Sequence, residues 1–378
     1  MTKQPFAQQK AYRMTKERRV AMILAGGVGL GVYQAGAYAQ LHQREELRPA
    51  WLAGSSIGSI NTAVIAGSPP ESRVQRLRSL WQAGSQFFGA AGDPTWSRSF
   101  EHAQNWISAI QTRLMGSAGQ FHPRISPPWE SFSSLYDLRP LRSRLKALID
   151  FGRLNSGAPR VTIATTNIET GELVLFDTAR GHRIEIDHLM ASCGFLPEFA
   201  PVEIDGQLLG DGGLVANAPV EALWQADAGE DLICFVLDLY ARDGARPTGL
   251  ESALARKNDL LFSNQTWQRL AAFQREEGLR RQLARLENQR QREIMMLYLS
   301  YRPLPEEAGP ERGFDYSTRM LERRWQAGGL DMREALRHVE EGHRVLEAGP
   351  ILKAVRRSAQ TRSPTLAARA TPVTAAAG

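Results

Sequence analysis

The chain has 378 residues, 43% of them hydrophobic and 23% charged, with a formal net charge of +6. That length and balance fit a soluble globular chain of one large domain with additions, or of two smaller domains. No run of about 18 apolar residues occurs, which excludes a spanning helix, and no Cys/His cluster has metal-ligand spacing, so neither a structural metal nor another cofactor is expected.

Residues 1–18 are polar and basic and are expected to form a flexible arm; they lack the apolar stretch of a secretory signal. The two cysteines, Cys193 and Cys234, each lie in an apolar segment, as reduced buried thiols do. Both features make a cytoplasmic location the expectation. Residues 19–25, RVAMILA, form a short β-like run that ends at Gly26 and Gly27, and VYQAGAYAQLHQ opens a helix just beyond. A second strand, 51–54, and a second helix, 57–66, repeat the pattern. Strand, glycine turn, helix, strand, turn, helix is the signature of a parallel sheet with right-handed crossovers.

Residues 68–83 read as a helix. Residues 84–135 change character: they are rich in Gly, Ser and Pro yet carry Phe87, Phe88, Trp96, Phe100, Trp106, Phe121, Trp129 and Phe132. A loosely structured apolar insertion of this kind is either a lid or acyl-pocket lining, or a capping subdomain whose aromatics are its own core. A helix at 134–151 follows. Next come a strand pair, 160–168 and 172–177, about Thr170-Gly171, and a short helix stopped by Pro197. A hairpin then ends at Asp211-Gly212-Gly213, a helix starts at Pro219, and a buried strand at 232–239 completes the sheet. From 250 to about 301 the chain reads as strongly helical. Shorter helices occupy 314–348, and the basic tail at 351–378 is expected to be disordered.

Charge is unevenly spread. Seven arginines between 269 and 292 face only Glu276, Glu277 and Glu287, and the tail adds Lys353, Arg356, Arg357, Arg362 and Arg369 with no acid. Such patches attract lipid phosphates, or are merely a solvated helix face and a loose tail. No nucleic-acid-binding signature is present, so nucleic acid is not an expected partner.

Gly54-Ser55-Ser56-Ile57-Gly58 fits G-x-S-x-G, with Ser56 at a sharp strand-to-helix turn. Serine is also a preferred N-cap, so the pentapeptide alone leaves both readings open. A nucleophile needs a base and an anion-stabilising pocket. His338 and His343 sit in a charged helical pattern, and His182 and His188 precede the next acid candidate, so no histidine is placed as base. Asp211 stands between glycines directly after a strand, although a D-G pair is also a common turn, as Asp205 illustrates. The ordered co-occurrence of a glycine turn, G-x-S-x-G and Asp-Gly-Gly favours a site.

That triple resembles the patatin-like phospholipase family, which pairs a glycine-rich loop with G-x-S-x-G and a later D-G-G or D-G-A. Here the loop reads Gly26-Gly27-Val28-Gly29-Leu30-Gly31, followed by VYQAG. GSSIGSINTAVIAG matches beyond the pentapeptide and includes Asn61, and ASCGFLPEFAPVEIDG leads into LGDGG. The resemblance covers about 19–240, and residues 314–331 are similar to a C-terminal extension of one bacterial branch. It implies a three-layer α/β/α fold with a mostly parallel central sheet, a catalytic domain at 19–240 and a helical extension at 241–350. It further implies an acyl hydrolase acting on lipid esters at a membrane surface. Ser56 would attack, Asp211 would take its proton, and the N–H groups of Gly27, Val28 and Gly29 would hold the oxyanion. Gly26, Gly31, Gly54, Gly58, Gly212 and Gly213 would support these turns. Two positions depart from the pattern: Val28 replaces a glycine and is expected to keep a negative φ, and Leu30 replaces a basic residue. A lipid-binding protein that retains the fold with little catalysis is the alternative those departures allow.

Overall fold

The run RVAMIL, buried along nearly its whole length, forms β1 (Arg19–Leu24). A strand covered on both faces needs such a continuous apolar run. The computed structural model describes residues 18–82, 98–124, 134–225, 230–290, 292–341 and 351–354. The expected arm at 1–17, the tail from 355 onward, His343 and the aromatics Phe87, Phe88, Trp96, Trp129 and Phe132 lie outside the described residues.

After β1 come α1 (Val32–Leu41), β2 (Trp51–Ser55), α2 (Ile57–Ala66) and α3 (Arg73–Gln82). The insertion holds α4 (Arg98–Met115), and α5 (Arg139–Leu148) leads back to the sheet. Then follow β3 (Arg160–Asn167), β4 (Leu173–Asp177), α6 (Ile186–Ser192), β5 (Val202–Ile204), β6 (Gln207–Asp211) and β7 (Leu232–Asp238). The last elements are α7 (Leu250–Leu286), β8 (Ile294–Ser300), α8 (Thr318–Glu341) and β9 (Ile351–Ala354).

The nine-stranded sheet has the order β9-β8-β7-β1-β2-β3-β6-β5, with β4 also on β3. Pairing is parallel from β9 through β3 and antiparallel beyond. Alternate residues of β1 enter two cores. Val20, Met22 and Leu24 join one with α1, α2 and α8, whereas Ala21 and Ile23 join the other with Leu223, Leu270 and Phe273. Helices on both faces of a mostly parallel sheet make the expected three layers.

Four readings of the sequence are corrected. The helix from 250 stops at Leu286, and IMMLYLS at 294–300 is a buried strand paired with β7, so the strand at 232–238 does not complete the sheet. Residues 351–354 pair with β8 as a further strand and are not disordered tail. Within the insertion, 98–115 is an 18-residue helix, not a loose segment. One 24-residue helix, α8, stands where shorter helices are read. It packs tightly on α1: a Cβ added at Gly36 would lie 1.9 Å from the Trp325 carbonyl oxygen, and Tyr33 Oη donates to Asp331 at 2.7 Å.

Candidate active site

β2 passes into α2 through a single residue, Ser56, at φ 54° and ψ −128°. That quadrant is strained for any residue with a Cβ, and such strain concentrates at functional turns. The flanking glycines allow the close approach. A Cβ at Gly54 would lie 2.4 Å from the Gly58 carbonyl oxygen, and one at Gly58 2.1 Å from that of Leu24. Ser56 occupies the N-cap position of α2, yet its side chain makes no capping bond. Its N–H donates to Ser192 Oγ at 3.0 Å, and Ser192 Oγ donates to the Ala164 carbonyl at 2.7 Å. Ser55 is buried, with Oγ 2.7 Å from where a Gly212 Cβ would stand, and does not line the cavity.

Sheet register brings the acid to the serine. On β3, Ala164 pairs with Ser55, and the next residue, Thr165, pairs with Asp211. β4 overlaps both pairings, so β2 and β6 share the other edge of β3 end to end. Asp211 therefore begins where β2 ends. Its carboxylate accepts the Gly213 N–H at 2.6 Å. Burial pushes its carboxyl up to about 7 against the lowering effects of the Ser56 hydroxyl and the Gly213 N–H. Among the described residues no histidine lines the adjoining cavity.

The glycine turn closes the third side. Gly26 N–H donates to the Asn217 carbonyl at 3.0 Å, and Leu30 N–H to that of Gly27 at 3.1 Å. The N–H groups of Gly27, Val28 and Gly29 enter no hydrogen bond with the described residues. Val28 does not keep a negative φ: it sits at φ 50°, next to Gly27 at 154°. A β-branched residue is costly there, whereas glycine adopts such a φ freely. Gly29 packs near the Gly313 carbonyl and Gly31 against the Ile57 side chain, while Leu30 is fully buried in the core. A chain of amides pins the turn: Trp81 Nε1 donates to Asn61, Asn61 Nδ2 to Gln34 and the Gly31 carbonyl, and Gln34 Nε2 to the Ala25 carbonyl.

These three pieces open on one cavity of about 390 Å³. Phe121 from the insertion and Phe195 and Phe199 after α6 line it; so do Leu261 and Phe262 of α7 and Phe314 and Tyr316 before α8. Of the other described insertion aromatics, Trp106 donates to Glu251 at 2.9 Å and Phe100 is exposed. The charge patch at 269–292 is largely spent within the fold. Arg269 pairs with Glu221, Arg280 with Glu276, Arg290 with Asp231 and Arg292 with Glu277. No group of three or more His, Cys, Asp or Glu side chains gathers as a metal site among the described residues, and none of their helices is long and apolar enough to cross a membrane.

Trp81 and the aromatics beyond residue 240 that line the cavity escaped the sequence reading, because each reaches the site across long stretches of chain; Gln34 was read only as part of VYQAG, and Asn217 was missed. Asn217, six residues after Asp211, and Gln34, three residues after Gly31, stood close enough to a motif to be noticed.

The family model described as patatin-like phospholipase matches residues 22–224. Among solved structures, VipD from Legionella pneumophila is similar at 12% identity and a TM-score of 0.35, over 82% of this chain and 67% of that one. ExoU of the type III secretion system of Pseudomonas aeruginosa, solved with SpcU, is similar at 16% identity and a TM-score of 0.29, over 65% of this chain. This chain spans about half of ExoU's length, 47%. No curated protein matches the chain.

Proposed function

The chain belongs to the patatin-like phospholipase family, a family of lipid acyl hydrolases, and from that premise we propose that it cleaves carboxylic ester bonds of lipids by a Ser56–Asp211 dyad. The observation that carries this reading is the Ser56 side chain: it stands on a strained elbow, makes no capping bond, and acts on the buried Asp211 carboxyl, which its hydroxyl holds down. Ser56 Oγ attacks the acyl carbon as its proton passes to Asp211. The carbonyl oxygen gains negative charge, which the unspent N–H groups of Gly27, Val28 and Gly29 and the N-terminal end of α2 stabilise. Protonated Asp211 then delivers that proton to the leaving alkoxide, leaving an acyl-serine. Water, deprotonated by Asp211, releases the acid and restores the serine. A base whose carboxyl titrates near neutrality suits this double role, since it is poised both to take and to return a proton. The aromatic cavity supports an acyl chain as the group bound.

A lipid-binding reading without turnover draws on Val28 and Leu30. Against it stands the turn itself, which keeps three free N–H groups at the strain that Val28 imposes. Turnover of short acyl esters decides between them. Ser56→Ala should lose turnover by at least about 10³-fold while staying folded. Wild-type rates in that variant would exclude Ser56 as nucleophile.

A further inference from the structure

Asn217 is 2% exposed and lines the cavity, in the loop between β6 and β7. Its backbone is held on both sides: its carbonyl accepts the Gly26 N–H at 3.0 Å, and its N–H donates to Gln265 Oε1 of α7 at 3.1 Å. Its amide head stands between the two glycines that flank the dyad. A Cβ at Gly26 would lie 2.9 Å from Asn217 Oδ1 and 2.9 Å from Ser56 Cβ; one at Gly213 would lie 3.1 Å from Asn217 Oδ1 and 2.9 Å from Asp211 Oδ1. Any larger residue at either position would push the amide away from the serine and the acid.

The amide itself is unspent. Nδ2 is buried and donates to no described residue, and Oδ1 accepts from none. Native proteins hold few buried polar groups without a partner, and each one costs stability that an apolar side chain of the same shape would not. A half-turn about χ2 exchanges the two ends of the amide, and here it breaks no bond within the protein. The side chain is thus free to turn its N–H toward a bound molecule, while its backbone cannot shift.

We infer that the Asn217 side-chain amide donates to the acyl carbonyl oxygen as it becomes an oxyanion, beside the N–H groups of the glycine turn. This assigns a catalytic role to Asn217 and rests on the hydrolase reading above. Gln265, which lies outside the family-matched segment, becomes a positioning residue: it holds the Asn217 N–H from α7.

The test compares wild type with Asn217→Ala and Asn217→Leu. It measures kcat and KM on p-nitrophenyl butyrate, the rate of Ser56 labelling by a fluorophosphonate, and Tm. Losing one oxyanion donor lowers kcat by about 10²-fold. KM should move less than kcat, and labelling should slow in step, because charge also develops on the phosphonyl oxygen. Tm should hold or rise, since an unpaired buried amide is removed. Asn217→Leu keeps the branched shape, so it decides the matter if the alanine variant fails to fold. Gln265→Leu should lower kcat by a smaller factor. Wild-type kcat in a folded Asn217 variant overturns the proposal, as does a loss of activity that only tracks a fall in Tm. If wild-type protein is not labelled at Ser56 at all, the hydrolase reading falls first and this inference with it.

Discussion

Replacing Asp211 with asparagine should abolish activity and at the same time stabilise the protein, increasingly so as pH rises. The carboxyl is buried and titrates at about 7 in the fold against 3.8 for a free aspartate. Because the folded pKa is the higher one, the native state binds more protons than the unfolded chain throughout that window. Stability is therefore lost as pH rises from about 4 to about 7, and the full cost is present above 7. At about 1.4 kcal/mol per pH unit, three units amount to roughly 4 kcal/mol, an upper bound that structural relaxation lowers. Asparagine never ionises, yet its Oδ1 can still accept the Gly213 N–H. The stability gap between Asp211→Asn and wild type should grow by about 2–3 kcal/mol between pH 5 and pH 8. Urea unfolding at both pH values measures it. A gap that is constant with pH, or that narrows toward pH 8, would refute the claim that an ionised Asp211 is held at a cost.

The same carboxyl sets the pH dependence of catalysis. A base must be deprotonated, so kcat/KM should fall with unit slope below a break near pH 7 and be flat above it; a break remaining near 4 would remove Asp211 as the group observed. Val28→Gly should change unfolding free energy by no more than about 1 kcal/mol, because relief of its positive φ offsets the lost side-chain burial. Val20→Gly in the centre of the sheet, with no such relief, should cost about 3 kcal/mol or more; equal losses in the two variants would show that Val28 is not strained. Since four of the seven arginines between 269 and 292 pair with acids, binding to anionic vesicles should depend on the four arginines beyond residue 355. At about 1 kcal/mol each, deleting 355–378 should weaken sedimentation with anionic vesicles by tenfold or more at low salt, while unchanged binding would exclude the tail.

Local rules made the first half of the fold legible. β1, the glycine turn, α1, β2, the elbow and α2 each lie within a dozen residues of their own signal, an apolar run ended by glycine. Ser56 and Asp211 were legible for the same reason, as motif residues in order. β8 was not: IMMLYLS carries no alternation, and an apolar run beside a long Arg/Gln/Leu helix does not declare its period. The α4 helix was hidden by the glycines, serines and prolines on either side of it. Val28 shows a different limit. Its residue type argues for a negative φ, but the turn it occupies is dictated by the strand before it, the helix after it and the contact of Gly29 with the Gly313 carbonyl. Tertiary context overrode a local preference there. Of the cavity wall only Phe121, in the insertion read as a candidate acyl-pocket lining, was within reach; Phe262, Phe314 and Tyr316 join it only through the packing of the whole chain.

The central claim is that Ser56 is the nucleophile and Asp211 its base. Labelling the folded protein with a fluorophosphonate, digesting it and locating the adduct by mass spectrometry tests this most directly. The account predicts a single adduct on Ser56, formed at a rate that falls by at least about 10³-fold in Asp211→Asn while that variant remains folded. An adduct on Ser55 or another residue, or labelling of Ser56 that is as fast without the Asp211 carboxylate, would contradict it.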